Sequence, residues 1–285
     1  MQKKLIIKVI LIIIIITLLL SGFVCAIDNE KNIVLGIPSK KSALSMLSRW
    51  QPIADELSKR SGYQIKISMV KDHDELIEKM KNKEIDLGYY SPVFFVKAKN
   101  EIEITPIVMR VKYGSPYYRS GFITRKDSEI NSIQDLKNKK IALTAEEDST
   151  SGYYIPLAML NNNGFEHQKN LDLVFTGKHI NVLKSVVYGS VDAGAIKLYI
   201  LDDPKNYELL SEIKVLERSF FIPGSSIAVI NDLDTDIINK IKEAFLSLST
   251  DEAGLNSMQA MNFNGFVLSN NELYNPVRSY LKELE

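Results

Sequence analysis

An α/β chain of two lobes is what this sequence predicts, on three observations. Short apolar strands alternate with amphipathic helices from residue 33 onward; a strand-rich crossing near residues 111–123 interrupts the alternation, which then restarts; a second crossing near 216–224 brings the chain back. A restarted β-α-β alternation marks a domain boundary, and each lobe is expected to be a mixed sheet flanked by helices. Two crossings make a hinge, a layout suited to lobes that close on a ligand in the cleft between them. The lobes are placed at 27–115 with 222–285, and at 116–221.

The first 26 residues read as an export signal rather than as part of that fold. Lys3, Lys4 and Lys8 precede an apolar run over 9–20, broken by Thr17, and Ser21-Gly22-Phe23-Val24-Cys25-Ala26 follows. This is the three-part layout of a secretory signal peptide, and its apolar run is shorter than the roughly 20 residues a spanning helix needs. Cleavage after Ala26 ranks first, lipid attachment at Cys25 second because Val24 suits a lipidated cysteine poorly, and an uncleaved anchor third. Cleavage after Ala26 leaves 259 of the 285 residues and no cysteine, so disulfides play no part. It removes three of 35 basic and none of 35 acidic residues, giving a net charge of −3. Such a balance offers nucleic acid no basic surface.

Residues 33–37 read as a short buried strand closed by Pro38. Leu44, Leu47, Trp50, Ile53, Ala54 and Leu57 recur at spacings of three and four, the stripe of a helix that Gly62 stops. Pro52 leaves two readings, a kinked helix or one that begins near Trp50. Ile65, Ile67 and Met69 alternate with Lys66 and Ser68 as a strand, and 74–80 is a short helix capped by Asp72 or Asp74. Asp86-Leu87-Gly88-Tyr89-Tyr90-Ser91-Pro92 is a strand running into a loop before a helix over 93–99. Ligands of open α/β sheets sit beyond the carboxyl ends of strands, which makes Tyr90 and Ser91 candidate contacts. The tyrosines equally suit core positions with satisfied hydroxyls. Residues 105–111 form the next strand.

In the second lobe, 117–123 leads into a strand, 132–136 is a short helix, and 140–144 is a strand. Ser149, Thr150, Ser151 and Gly152 then stand between that strand and a helix over 155–162. Three hydroxyls and a glycine at a helix start can aim O–H and backbone N–H donors at one small oxyanion, with the positive end of the helix dipole behind them. The same residues also suit a plain N-cap. A strand at 171–175, a helix over 180–188 stopped by Gly189, and a small-residue strand at 192–196 follow. Residues 209–216 and 219–223 read as a strand returning across the boundary. A strand at 227–230, a helix over 235–248 and a tail carrying Tyr274, Val277, Tyr280 and Leu281 complete the first lobe.

Tyr89-Tyr90-Ser91-Pro92, Tyr118-Arg119-Ser120, Ser149-Thr150-Ser151-Gly152-Tyr153, Gly177-Lys178-His179 and 191–195 occur in the order seen in one family. With Arg49-Trp50-Gln51-Pro52 they resemble the PhnD-type substrate-binding proteins of phosphonate, phosphite and phosphate-ester ABC importers. The resemblance covers residues 33–248. It implies a type II periplasmic-binding-protein-like fold with the ligand cleft at the hinge. It further implies that Ser149, Thr150, Ser151 and His179 bind the tetrahedral oxyanion while Tyr118 and Tyr90 close on it. Without it, His179 reads as a surface histidine at a helix start. His73 and His167 sit in polar surroundings, and no metal constellation or cofactor is implied. Family members that take aminoalkylphosphonates place acidic residues where this chain has Lys197. A lysine aimed into the cleft would repel an ammonium, and one aimed at solvent would still leave the acid missing. A ligand without an amine is therefore expected, with or without a second acidic group.

The reading that results is an exported, monomeric solute-binding protein that delivers a small phosphorus oxyanion to the membrane subunits of an ABC importer. The alternatives are a secreted phosphoryl- or acyl-transfer enzyme with Ser149 as nucleophile and His179 as base, and a sensory ligand-binding module.

Overall fold

The computed structural model describes residues 32–39, 42–145, 149–165 and 171–284. The export signal, Cys25 and His167 lie outside the described residues.

The first lobe is built on β1 (Asn32–Pro38), which runs parallel to β2 (Gln64–Val70) and to β3 (Leu87–Tyr90). The connecting helices are α1 (Ala43–Ser61), α2 (His73–Lys81) and α3 (Pro92–Glu101). α1 continues through Pro52. Its buried stripe of Trp50, Ile53, Ala54 and Leu57 holds both sides of the proline against the sheet. Gly62, at φ 76°, ends it by donating its N–H to the Ser58 carbonyl (3.1 Å). The left-handed conformation favours glycine. Asp72 caps α2 by accepting the Glu75 N–H at 3.0 Å.

β4 (Ile104–Val111) leads to the hinge strand β5 (Tyr117–Tyr118) and then to β6 (Ser120–Arg125), the first strand of the second lobe. There follow β7 (Lys140–Leu143), α4 (Ile155–Asn162), β8 (Asp172–Phe175), α5 (His179–Val187) and β9 (Ala193–Lys197). Where residues 209–216 were expected to return across the boundary, the chain forms α6 (Tyr207–Leu210) and β10 (Ile213–Arg218). β10 pairs antiparallel with β6 and stays in the second sheet. The crossing is made by β11 (Ile222–Pro223), which pairs with β5, Ile222 opposite Tyr118.

β12 (Ser226–Ile230), α7 (Thr235–Ser247), α8 (Glu252–Met258), β13 (Gly265–Leu268) and α9 (Asn275–Lys282) complete the chain. The first sheet has the order β13-β4-β12-β3-β1-β2, the second β10-β6-β9-β7-β8. Both mix parallel and antiparallel pairs. One apolar cluster runs from Leu76, Met80 and Phe95 of the first lobe to Phe122, Leu143 and Ile155 of the second. α9 adds to this junction by packing on α3 of one lobe and α4 of the other. Among the described residues no helix is long and apolar enough to cross a membrane.

Candidate functional site

Two helix starts face each other across the cleft. Ser91 precedes α3, whose first residue, Pro92, has no N–H to offer, so Val93 carries the first free amide. That amide donates to Thr150 Oγ1 of the other lobe at 3.2 Å, and Thr150 Oγ1 lies 3.5 Å from Ser91 Oγ. Thr150 is 3% exposed. Opposite, the turn over Thr150–Tyr154 is wound wider than an α-helix, a π-type turn of the kind that concentrates at functional sites. A turn of this width leaves the amides of Thr150 and Ser151 without intrahelical acceptors.

The three hydroxyls do different things. Ser149 caps the turn, its Oγ accepting the Gly152 N–H at 3.1 Å. Thr150 bridges to α3. Ser151 is fully buried, and its hydroxyl has no hydrogen-bond partner within the protein. The Tyr118 hydroxyl comes near enough to Ser151 to sense it, yet no hydrogen bond of normal geometry closes. The cradle is pinned from below: a Cβ on Gly152 would collide with the Thr144 side chain. The Thr144 N–H meanwhile donates to the Gly152 carbonyl at 3.1 Å.

His179 begins α5, and its Nδ1 accepts the backbone N–H of Lys197 at 3.2 Å. That bond fixes the tautomer with the proton on Nε2. Burial, and then the Lys197 charge, hold its pKa well below the usual histidine range, so the ring is a neutral donor. Lys197 turns inward. Its Nζ lies 5.4 Å from the Tyr118 ring and 5.9 Å from the Tyr199 ring. Burial first, and the Arg110 charge second, lower its pKa to about 7.

Arg110 is the residue the sequence reading passed over. It is 5% exposed, with Cζ 5.9 Å from the Tyr118 ring and 5.8 Å from the Phe263 ring. Lys112 lies alongside, its pKa lowered mainly by burial and further by Arg110, Lys197 and Arg49. The available signal was one charge in the apolar run Ile107-Val108-Met109-Arg110-Val111, since a strand rarely buries an arginine without a purpose.

Tyr90 needs correction. It is fully buried, with its hydroxyl donated to Met80 Sδ at 3.1 Å, so the core alternative describes it. Side chains alternate along a strand, and it is Tyr89 whose hydroxyl reaches Arg110. His73 is not in polar surroundings either, for it stacks on Phe94 with centroids 4.0 Å apart. The rims meet on both sides of the cradle. Lys97 Nζ donates to the Tyr154 hydroxyl at 2.8 Å, and the Tyr113 and Tyr199 rings lie 4.8 Å apart. A surface depression of about 810 Å³ beside α1 and β2, walled by Leu47, Asp55 and Tyr63, shares none of these groups. Among the described residues no cluster of three or more His, Cys, Asp or Glu could hold a metal.

Comparison with known proteins gives a consistent picture. The family described as "ABC transporter, phosphonate, periplasmic substrate-binding protein" matches residues 35–274. The phosphonates-binding periplasmic protein of Escherichia coli K12 is 28% identical over 227 residues, 77% of this chain and 67% of that protein. The phosphate-import protein PhnD of Mycolicibacterium smegmatis is 26% identical over 230 residues, 76% of this chain and 71% of that protein. Among solved structures, PhnD1 from Prochlorococcus marinus in complex with methylphosphonate shares the fold. Its TM-score is 0.71 at 21% identity, covering 90% of this chain and 99% of that one.

Proposed function

The chain belongs to the phosphonate family of periplasmic substrate-binding proteins of ABC transporters, and we propose that it captures a small phosphorus oxyanion outside the membrane and passes it to an importer's membrane subunits. The observation that carries this reading is the Ser151 hydroxyl, fully buried without a protein partner at a helix start that faces a second helix start. A buried hydroxyl left unpaired is costly, and an oxyanion oxygen is the acceptor it lacks. The Ser151 hydroxyl, the amides of Thr150 and Ser151 and the Nε2–H of His179 then supply neutral donors to the oxygens, with the helix dipole behind them, while Thr150 Oγ1 holds the facing helix start through the Val93 amide. Ser149 acts through its cap and Ser91 through its place beside Thr150.

Capture proceeds by closure of the lobes, 27–115 with 222–285 against 116–221, about the paired hinge strands β5 and β11. The chain works as a monomer, exported by its N-terminal segment. Binding without turnover is favoured over phosphoryl or acyl transfer because Ser149 Oγ is engaged by the Gly152 amide and His179 Nδ1 by the Lys197 amide. Neither is set as nucleophile or base toward the other.

Isothermal titration against phosphate, phosphite, methylphosphonate and 2-aminoethylphosphonate tests the reading, with saturable binding and no phosphate release expected. Inward-facing Lys197 places 2-aminoethylphosphonate below methylphosphonate and phosphate in affinity. No binding across the panel, or turnover of a phosphate ester, would overturn the proposal.

A further inference from the structure

The hydroxyl cradle supplies enough neutral donors for one phosphonate group, and the cations beside it are therefore in excess. Arg110 and Lys197 flank the same Tyr118 ring, at 5.9 and 5.4 Å, and Lys112 stands next to Arg110. Among the described residues, no aspartate or glutamate forms an ion pair with any of the three. The charge that Lys197 senses is another cation. Asp203 is engaged by the Lys205 amide at 3.1 Å, and Asp202 is exposed at the rim. Desolvated cations gathered without a counter-charge are unfavourable unless a ligand brings one.

A pocket of about 360 Å³ adjoins Tyr118 and Tyr199, with Lys112, Arg119, Arg218 and the carboxylate of Asp202 in its wall. Tyr118 lines this pocket too, while its hydroxyl lies near Ser151 and its ring near Arg110 and Lys197.

Resting on the oxyanion reading above, we propose that the ligand is bifunctional. Its phosphorus oxyanion sits in the Thr150–Ser151 cradle, and a second acidic group, a carboxylate or a further phosphoryl group, extends along Tyr118 to Lys197 and Arg110. This makes Lys197 the residue that selects for the second acid.

The test is calorimetry at pH 7 with 3-phosphonopropionate against propylphosphonate, which has the same chain length but no carboxylate. The carboxylate form should bind at least about tenfold more tightly, the scale of one charge-assisted contact. Lys197→Met should reduce that ratio to below about threefold, whereas Lys197→Arg, which keeps the charge, should preserve most of it. Equal or tighter binding of propylphosphonate overturns the proposal while leaving the oxyanion reading intact. So does an equal loss for both ligands in Lys197→Met, which would assign the cation to the phosphonate itself. Failure of both ligands, together with the simple oxyanions, would remove the underlying reading and this proposal with it.

Discussion

Replacing Ser151 by alanine separates the ligand-binding role of the hydroxyl run from a structural one. The Ser151 hydroxyl is fully buried and has no hydrogen-bond partner within the protein, so truncation removes no native partner. Its carbonyl continues to accept the Ser120 hydroxyl at 2.7 Å. Ligand-free stability should therefore stay within about 0.5 kcal/mol of wild type or rise slightly. Binding should suffer instead. A hydrogen bond to a charged acceptor is worth about 1.5–3 kcal/mol, which corresponds to a loss of roughly 10- to 150-fold in affinity. Ser149→Ala should behave in the opposite way, because Ser149 Oγ accepts the Gly152 N–H. Loss of that cap costs about 1 kcal/mol of stability and moves affinity less. Urea unfolding of ligand-free protein and titration with the best oxyanion of the panel read the two effects separately. A Ser151→Ala protein that lost more than about 1 kcal/mol of stability yet bound normally would refute the assignment.

Three further outcomes follow from the same geometry. Thr150→Ala removes the acceptor for the Val93 amide across the cleft, so affinity for every oxyanion should fall by about 1–3 kcal/mol, and full retention in titration would exclude the cradle. Small-angle scattering should show a smaller radius of gyration with ligand than without, since a ligand bound by both lobes shifts their balance by its differential affinity; an unchanged profile at saturation would count against the hinge. Lys197, held near pKa 7, is largely neutral at pH 8 until a bound anion raises it, so calorimetry in two buffers of different ionisation enthalpy should report proton uptake that Lys197→Met abolishes. The sign for folding runs the other way: from pH 7 toward about 10 the unfolded chain binds a proton at this lysine that the ligand-free fold does not, and wild type should gain stability relative to Lys197→Met across that window.

What the sequence made legible was whatever is written locally. The α1 stripe, the Gly62 stop, the Asp72 cap and the hydroxyl run before α4 each lie within one or two turns of chain, and periodicity or helix-end chemistry exposes them. The continuity of α1 through Pro52 was open because a proline's cost is set by the packing that offsets it, and Trp50 and Ile53 find that packing in distant strands. Tyr89 and Tyr90 illustrate a finer limit. Adjacent strand residues face opposite ways, but a four-residue strand with glycine beside the pair does not announce which face is the core.

The cation cluster was hidden for a topological reason that also explains its use. Arg110 is the last residue but one of β4, Tyr118 ends β5 and Lys197 ends β9, three segments that converge where β5 pairs with β11. Ile222 opposite Tyr118 fixes the register of that pair, and the Gly224 N–H donates to the Pro116 carbonyl at 2.7 Å just beyond it. A Cβ on Gly224 would stand 2.6 Å from the Arg110 carbonyl, so the returning strand fits against β4 only because that residue is glycine. The two crossings about which closure is proposed therefore also assemble the charge. Lys197 comes from the second lobe and Arg110 from the first, so the proposed closure would bring like charges together in a partly dry site. An anion between them would offset that repulsion, and its differential affinity for the closed arrangement would drive the lobes shut. On this argument Gly224→Ala should impair ligand binding without touching the ligand, by displacing β11 and Tyr118 from the hinge. Titration should show a loss of at least about tenfold in affinity, and circular dichroism a preserved fold. Unchanged affinity would mean that the hinge tolerates the displacement and that the charge is assembled without it.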